Sequence, residues 1–299
     1  MAEFNLVDGP WIPCISPDGN ISEYSIRDVL LQSHNLGEIC DDSPLVTVAI
    51  HRLLLAILYR AFEGPSTIEQ WKSVYQTGAF TSHPKLEEYL SKWHDSFYLF
   101  HDTRPFMQVA GLDLNKYKDK HILKYDGSDR LMRLAREAPD KKGRILFDHR
   151  FNTGHMEYKP NQIAKMILAA QSFSGTGVAS AGKIYGQTIK PTPCQFANCV
   201  NGLVVWIQGK ILFETLLLNL IPRTYILGDK PAWEDNSIIE NATQSWKTPI
   251  RFTGPIQQFA PLSRFIRIID YQSMFFTNGL KTVDNSDDPM KAYFRESIV

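Results

Sequence analysis

No Asp or Glu occurs from Tyr158 to Phe213, although acids are common elsewhere in this 299-residue chain. A stretch that long without a carboxylate must either lie in a core, which excludes charge of both signs, or face an anion that repels carboxylates. It keeps Lys159, Lys165, Lys183, Lys190 and Lys210. Its flanks carry the apolar spacing of core helices. Ile163, Met166, Ile167 and Ala170 predict one over 161–173, and the apolar run 202–221 predicts another. Gln208, Lys210, Glu214 and Asn219 interrupt that second run, which argues against a membrane span.

The centre of the stretch, Ser174 to Gly186, is rich in glycine. Gly177, Gly182 and Lys183 approach the spacing of a phosphate-cradling P-loop, but Ile184 stands where that loop needs a hydroxyl for magnesium. A P-loop also follows a buried strand, whereas the residues before this one read as helix. Nucleotide hydrolysis is therefore disfavoured. Two readings stay open: bare amides approaching a phosphate chain, or a turn between two helices.

Charge is divided unevenly. Residues 1–100 hold thirteen acids against six Lys/Arg, so a formally neutral chain carries −7 there and +7 over 101–299. Asp113 to Arg144 holds ten Lys/Arg against six acids, with Tyr117, His121 and Tyr125 interleaved. Periodicity fades over 111–143, which predicts a long exposed loop with one short helix near Arg130–Arg136. Lys247 to Arg267 holds four basic residues and no acid. Each alone reads as a solvated face; together they point to a polyanion partner.

The other elements are mixed in type. Phe4–Val7, Trp11–Ile15 and Ile21–Tyr24 read as strands, the last two joined by a Pro17–Asn20 turn. Ser25 caps a short helix through Gln32, and Ser43-Pro44 starts a helix running to Phe62. Helices near 66–76 and 84–94 precede an aromatic strand, Phe97–Phe100. Later come a strand at Ile145–Phe147, a helix at Pro255–Phe259, a strand at Phe265–Ile269 and a hairpin turning at Asn278-Gly279. The fold class is α+β. The N-terminus shows no basic-then-apolar leader, and four scattered cysteines make no disulfide framework. A cytoplasmic protein with no membrane partner is expected.

No constellation makes a persuasive enzyme. Asp148, His149 and His155 match no zinc spacing, Cys194 and Cys199 lack a second pair, and no Gly-x-Ser-x-Gly elbow occurs. No cofactor or metal is expected.

An ordered set of motifs carries a resemblance. Phe4-Asn-Leu-Val-Asp-Gly-Pro-Trp-Ile-Pro13 resembles the opening of the CasA family, the large subunit of type I-E CRISPR Cascade complexes. Phe97-Tyr-Leu-Phe100 with Arg104-Pro-Phe-Met-Gln108, then Leu146-Phe-Asp-His149, are similar to further landmarks of that family. So are the glycine-rich centre, Pro231-Ala-Trp233, and Pro249 followed by Arg264-Phe-Ile-Arg267. Order and spacing agree along nearly the whole chain.

The resemblance implies a non-catalytic subunit that inspects the protospacer-adjacent motif in duplex DNA and helps open it for guide RNA. It implies a CasA-like globular fold over 1–299 as a single domain, with 113–144 a loop toward the guide RNA and neighbouring subunits. Lys116, Lys118, Lys120, Lys124, Arg130 and Arg133 lie in that loop. It places a minor-groove probe at Asn152-Thr153-Gly154-His155, where a bare backbone suits a degenerate readout. Lys247 matches the family's lysine finger, and Lys183 in the glycine-rich centre joins the DNA-contacting set. The family continues into a four-helix bundle that supports the displaced strand and a helicase–nuclease. The sequence ends at Val299, where that bundle is expected to follow, as in a fragment or a shortened member. Target cleavage then falls to a helicase–nuclease or to a nuclease domain on another subunit. The rival readings are a purely structural RNA- and protein-binding subunit and a P-loop-like nucleotide enzyme.

Overall fold

The structure is a computed structural model that describes residues 3–113, 157–175, 182–189, 196–200, 202–224, 226–235, 237, 248–283 and 288–292. β1 (Ile12–Ile15) and β2 (Ile21–Tyr24) form an antiparallel hairpin in register Ile12↔Tyr24, with Gly19 at φ 85° supplying the left-handed turn residue. α1 (Ile26–Leu31) follows, and the Ser25 hydroxyl accepts from the Asp28 N–H to close its first turn. β3 (Glu38–Ile39) returns to pair with β1. Then come α2 (Pro44–Phe62), α3 (Ile68–Thr77) and α4 (Pro84–Trp93). Ser43 with Pro44 opens α2 as the sequence predicts, while Thr67 caps α3 and Pro84 starts α4.

After β4 (Leu112–Asp113) the described chain resumes in α5 (Pro160–Phe173), β5 (Gly182–Ile184) and β6 (Gln187–Ile189). β7 (Leu203–Val204), α6 (Leu212–Asn219), α7 (Pro255–Phe259), β8 (Arg264–Ile268), β9 (Met274–Asn278) and β10 (Lys291–Ala292) complete it. The small sheets are β2-β1-β3, β4-β5-β6, β8-β9 and β7-β10, all antiparallel. This is the α+β class expected.

α2 is the axis of the core. Fourteen of its nineteen residues are buried, so it is enclosed on every side and does not show only one apolar stripe. It is long and apolar enough to cross a membrane, yet α4, α5, α6 and α7 pack around it. One apolar cluster takes side chains from Leu6 through Met290.

Several expected elements take another form. Phe4–Val7 is a turn: the Asn5 side chain accepts from the Val7 N–H at 2.8 Å, and only Asn5 bridges to Tyr98. Phe97–Phe100 is no strand either. Phe97 ends a 3-10 turn, its ring stacks on Phe106, and the Leu99 carbonyl is taken by the Gln108 amide. The apolar run 202–221 splits, with β7 at its head and helix only from Leu212. Between them the extended backbone is held by α6 side chains. Asn219 accepts from the Ile207 N–H at 2.9 Å and donates to its carbonyl at 2.7 Å, while Thr215 and Glu214 accept from the N–H groups of Gly209 and Lys210. Two of the polar residues read as interruptions, Glu214 and Asn219, are therefore its clasps.

The tail hairpin turns at Ile269–Ser273, and Asn278-Gly279 closes the ladder instead of making the turn. Gly279 is needed because its backbone passes directly over residues 262–264. A Cβ there would fall on the Leu262 carbonyl oxygen and sit 2.6 Å from the Arg264 nitrogen. Gly279→Ala should lose about 1–3 kcal/mol by forcing two backbones apart. In urea titration the midpoint falls at constant slope; an unmoved midpoint would contradict the close approach.

Candidate nucleic-acid interface

Of the residues singled out for nucleic acid, Lys183 is described. Asn152, Thr153, Gly154, His155 and Lys247 lie outside the described residues, as do Lys116, Lys118, Lys120, Lys124, Arg130 and Arg133, and also Asp148 and His149. Lys183 lies on β5, opposite Asp113 on β4 and Thr188 on β6. The lysine of a P-loop opens a helix, whereas Lys183 sits inside a strand, so it is not placed as a P-loop lysine. Nor do residues 182–189 make a simple turn between helices: they form a hairpin whose tip, Tyr185-Gly186, has φ 46° and 81°. Two consecutive positive φ values fit the tight turns that match strand twist.

The acid-free stretch is less bare in space than in sequence. Lys165 meets Glu23 at 3.0 Å and Asp41 at 3.1 Å, carboxylates supplied from the N-terminal part of the chain. The basic segment 247–267 needs a similar correction. Arg264 is 3% exposed and donates to the Ser174 and Gly175 carbonyls at 3.2 and 2.6 Å, closing the C-terminal end of α5. Arg267 donates to the Leu112 carbonyl at 3.1 Å. Arg264 is thus taken into the fold and Arg267, half-buried, is tied to it, whereas Arg251 stays exposed and Lys247 lies outside the described residues.

The hairpin tip forms one side of a cavity of about 360 Å³. Two stretches of the sequence resemblance also line it, the Arg104–Gln108 segment and Trp233. Each wall is fixed from behind. Gln108 donates to the Leu99 carbonyl at 2.8 Å and accepts from the Ile268 N–H at 2.9 Å, and Arg104 in the same segment is exposed. The Trp233 indole donates to the Tyr89 hydroxyl at 2.9 Å, which donates to Glu234 at 2.6 Å. Burial raises the Tyr89 hydroxyl well above its ordinary pKa, and the Glu234 charge adds to this, so Tyr89 stays a neutral donor. Arg60 closes the chain with two bonds to Glu234, at 2.8 and 2.6 Å. Tyr185 is 57% exposed; its N–H donates to the Gly111 carbonyl at 3.0 Å, and its ring lies where a Gly111 Cβ would be.

Sequence reasoning missed this cavity because its residues are far apart in the chain. The signals that existed were a bulky residue before Gly186 in a two-residue turn and the Pro231-Ala-Trp233 landmark.

The profile of the family described as CRISPR-associated protein Cse1 matches residues 5–297. A CRISPR-associated protein CasA/Cse1 of Thermus thermophilus is 31% identical across 98% of this chain, which spans 55% of that relative. The crystal structure of the CasA protein of Thermus thermophilus superposes with TM-score 0.75 at 28% identity, covering 97% of this chain and 55% of its own. Thermobifida fusca Cse1 gives 0.74 at 25% identity, covering 92% and 51%. A chain of a CRISPR RNA-guided surveillance complex shares the fold, with TM-score 0.76 at 17% identity over 97% of this chain and 59% of its own. With the profile matched along nearly its whole length, and mixed helices and small sheets laid out as in those structures, this chain belongs to the CRISPR-associated protein Cse1 (CasA) family.

Proposed function

We propose that this chain is the DNA-inspecting subunit of an RNA-guided surveillance complex. It reads a short motif in duplex DNA and starts the unwinding that lets guide RNA pair with the target. The family match over residues 5–297 carries this reading. The net +7 over residues 101–299 supports it, because most of the positive charge lies in the part that holds the candidate contacts. In this reading Asn152–His155, Lys247 and Lys183 approach the duplex. The segment containing Lys116, Lys118, Lys120, Lys124, Arg130 and Arg133 holds guide RNA and neighbouring subunits. Cleavage belongs to a helicase–nuclease or to another subunit.

The test is target binding by the assembled complex. Lys247→Ala and Gly154→Asp should weaken binding to motif-bearing duplex by about tenfold or more. A target already opened at the motif-proximal end should bind nearly as before, because it has no duplex left to inspect. Equal affinity for both targets in both variants, with assembly intact, would instead make the chain a structural subunit.

A further inference from the structure

We infer that the cavity beneath Tyr185 is a binding site for one unpaired nucleotide, with its base against the Tyr185 and Trp233 side and its phosphate toward Arg104. The inference rests on the nucleic-acid reading above and adds to it a specific place for a single-stranded base.

Three observations converge. About 360 Å³ lies at the small end of ligand cavities, enough for one nucleotide unit and too little for a stacked pair. Met107, Val109, Leu262 and Trp233 give it an apolar part, Ser96, Thr103 and Gln108 a polar part, and Arg104 and Asp235 line it as well. The apolar part suits a flat, neutral base and the polar groups its edge, while Arg104 is the lining cation that a phosphate would approach and Asp235 keeps that approach to the Arg104 side. Tyr185 supplies the third observation. It is a bulky residue at φ 46°, a conformation that L side chains other than Asn and Asp rarely take. Its ring is seated on Gly111 while more than half of the residue stays exposed. An exposed aromatic ring in a cavity wall offers a face on which a base can stack. Backbone strain kept at such a position is commonly associated with function.

The experiment measures binding of a fluorescein-labelled oligodeoxyadenylate, and of an abasic strand of equal length, to the full chain by anisotropy. Tyr185→Gly removes the ring while giving the turn the residue its backbone prefers, so it should fold at least as stably. It should weaken binding of the oligodeoxyadenylate by about tenfold or more. Tyr185→Phe should bind like the original chain, because stacking needs the ring and not the hydroxyl. Arg104→Gln should weaken binding and flatten its dependence on salt. The abasic strand should bind weakly and respond little to Tyr185→Gly. Undiminished affinity in Tyr185→Gly, or equal affinity for the abasic strand, would overturn the assignment. So would a Tyr185→Gly chain that keeps its affinity for the strand but associates poorly with neighbouring subunits, since the cavity would then take a peptide. Loss of strand binding in Tyr185→Gly with motif-duplex recognition intact in the complex would leave the two proposals separately decided.

Discussion

Asp288→Ala should cost the fold about 3–5 kcal/mol, as breaking a buried ion pair does. Arg52, at the middle of α2, and Asp288, just before β10, are each 1% exposed at their side chains and meet through two bonds of 3.1 and 2.7 Å. Asp288 also accepts from the Met290 N–H at 3.0 Å, which sets the chain for β10 to pair with β7. Removing the carboxylate leaves a guanidinium in the core with the Gln258 carbonyl at 2.6 Å and the Phe259 ring 4.7 Å away, contacts that do not neutralise a charge. Asp288→Asn keeps the volume and one acceptor, so it should lose less. Arg52→Met combined with Asp288→Leu should recover much of the loss, because a buried pair is costly to break and not intrinsically stabilising. Urea unfolding of the three variants checks this ranking. A loss below about 1 kcal/mol for Asp288→Ala would mean that the pair is reached by solvent.

Helix starts were the most legible part of the sequence. Ser25, Ser43 with Pro44, and Pro255 act within four residues of chain, so the helices they open begin where the sequence places them, whereas the apolar run from Gly202 has no such signal and its helix begins only at Leu212. The misread elements depend on contacts across the chain. Leu203–Val204 becomes strand because Lys291–Ala292 lies beside it, and Asn278-Gly279 gives up its turn because Leu262 and Ser263 run beneath it. Charge was legible as a total but not as a distribution. Lys165 finds Glu23 and Asp41 from more than a hundred residues away, and Arg264 turns inward to carbonyls at the end of α5. The cavity under Tyr185 was invisible for the same reason. Its walls come from separated segments, and no local spacing rule links Arg104, Val109, Tyr185 and Trp233.

Glu234→Ala should both destabilise the chain and loosen that cavity. Glu234 is 7% exposed and accepts from two nitrogens of Arg60 and from the Tyr89 hydroxyl, which in turn holds the Trp233 indole. Every donor in this relay points toward one carboxylate. Deleting the carboxylate takes that acceptor from a largely buried guanidinium and a buried hydroxyl, a loss of about 3 kcal/mol. Trp233 also rests against Phe97 and Phe106, so the indole should stay in the core but lose its fixed orientation. Tyr89→Phe isolates that second effect. It keeps the Arg60–Glu234 pair and leaves only the indole N–H unsatisfied, for about 1–3 kcal/mol. Denaturant midpoints should therefore fall less in Tyr89→Phe than in Glu234→Ala. If Trp233 is a wall of a nucleotide site, affinity for a single strand should drop in both variants at temperatures where both remain folded. A midpoint that falls without any change in strand affinity would confine the relay to holding the core, and would detach Trp233 from the cavity's chemistry.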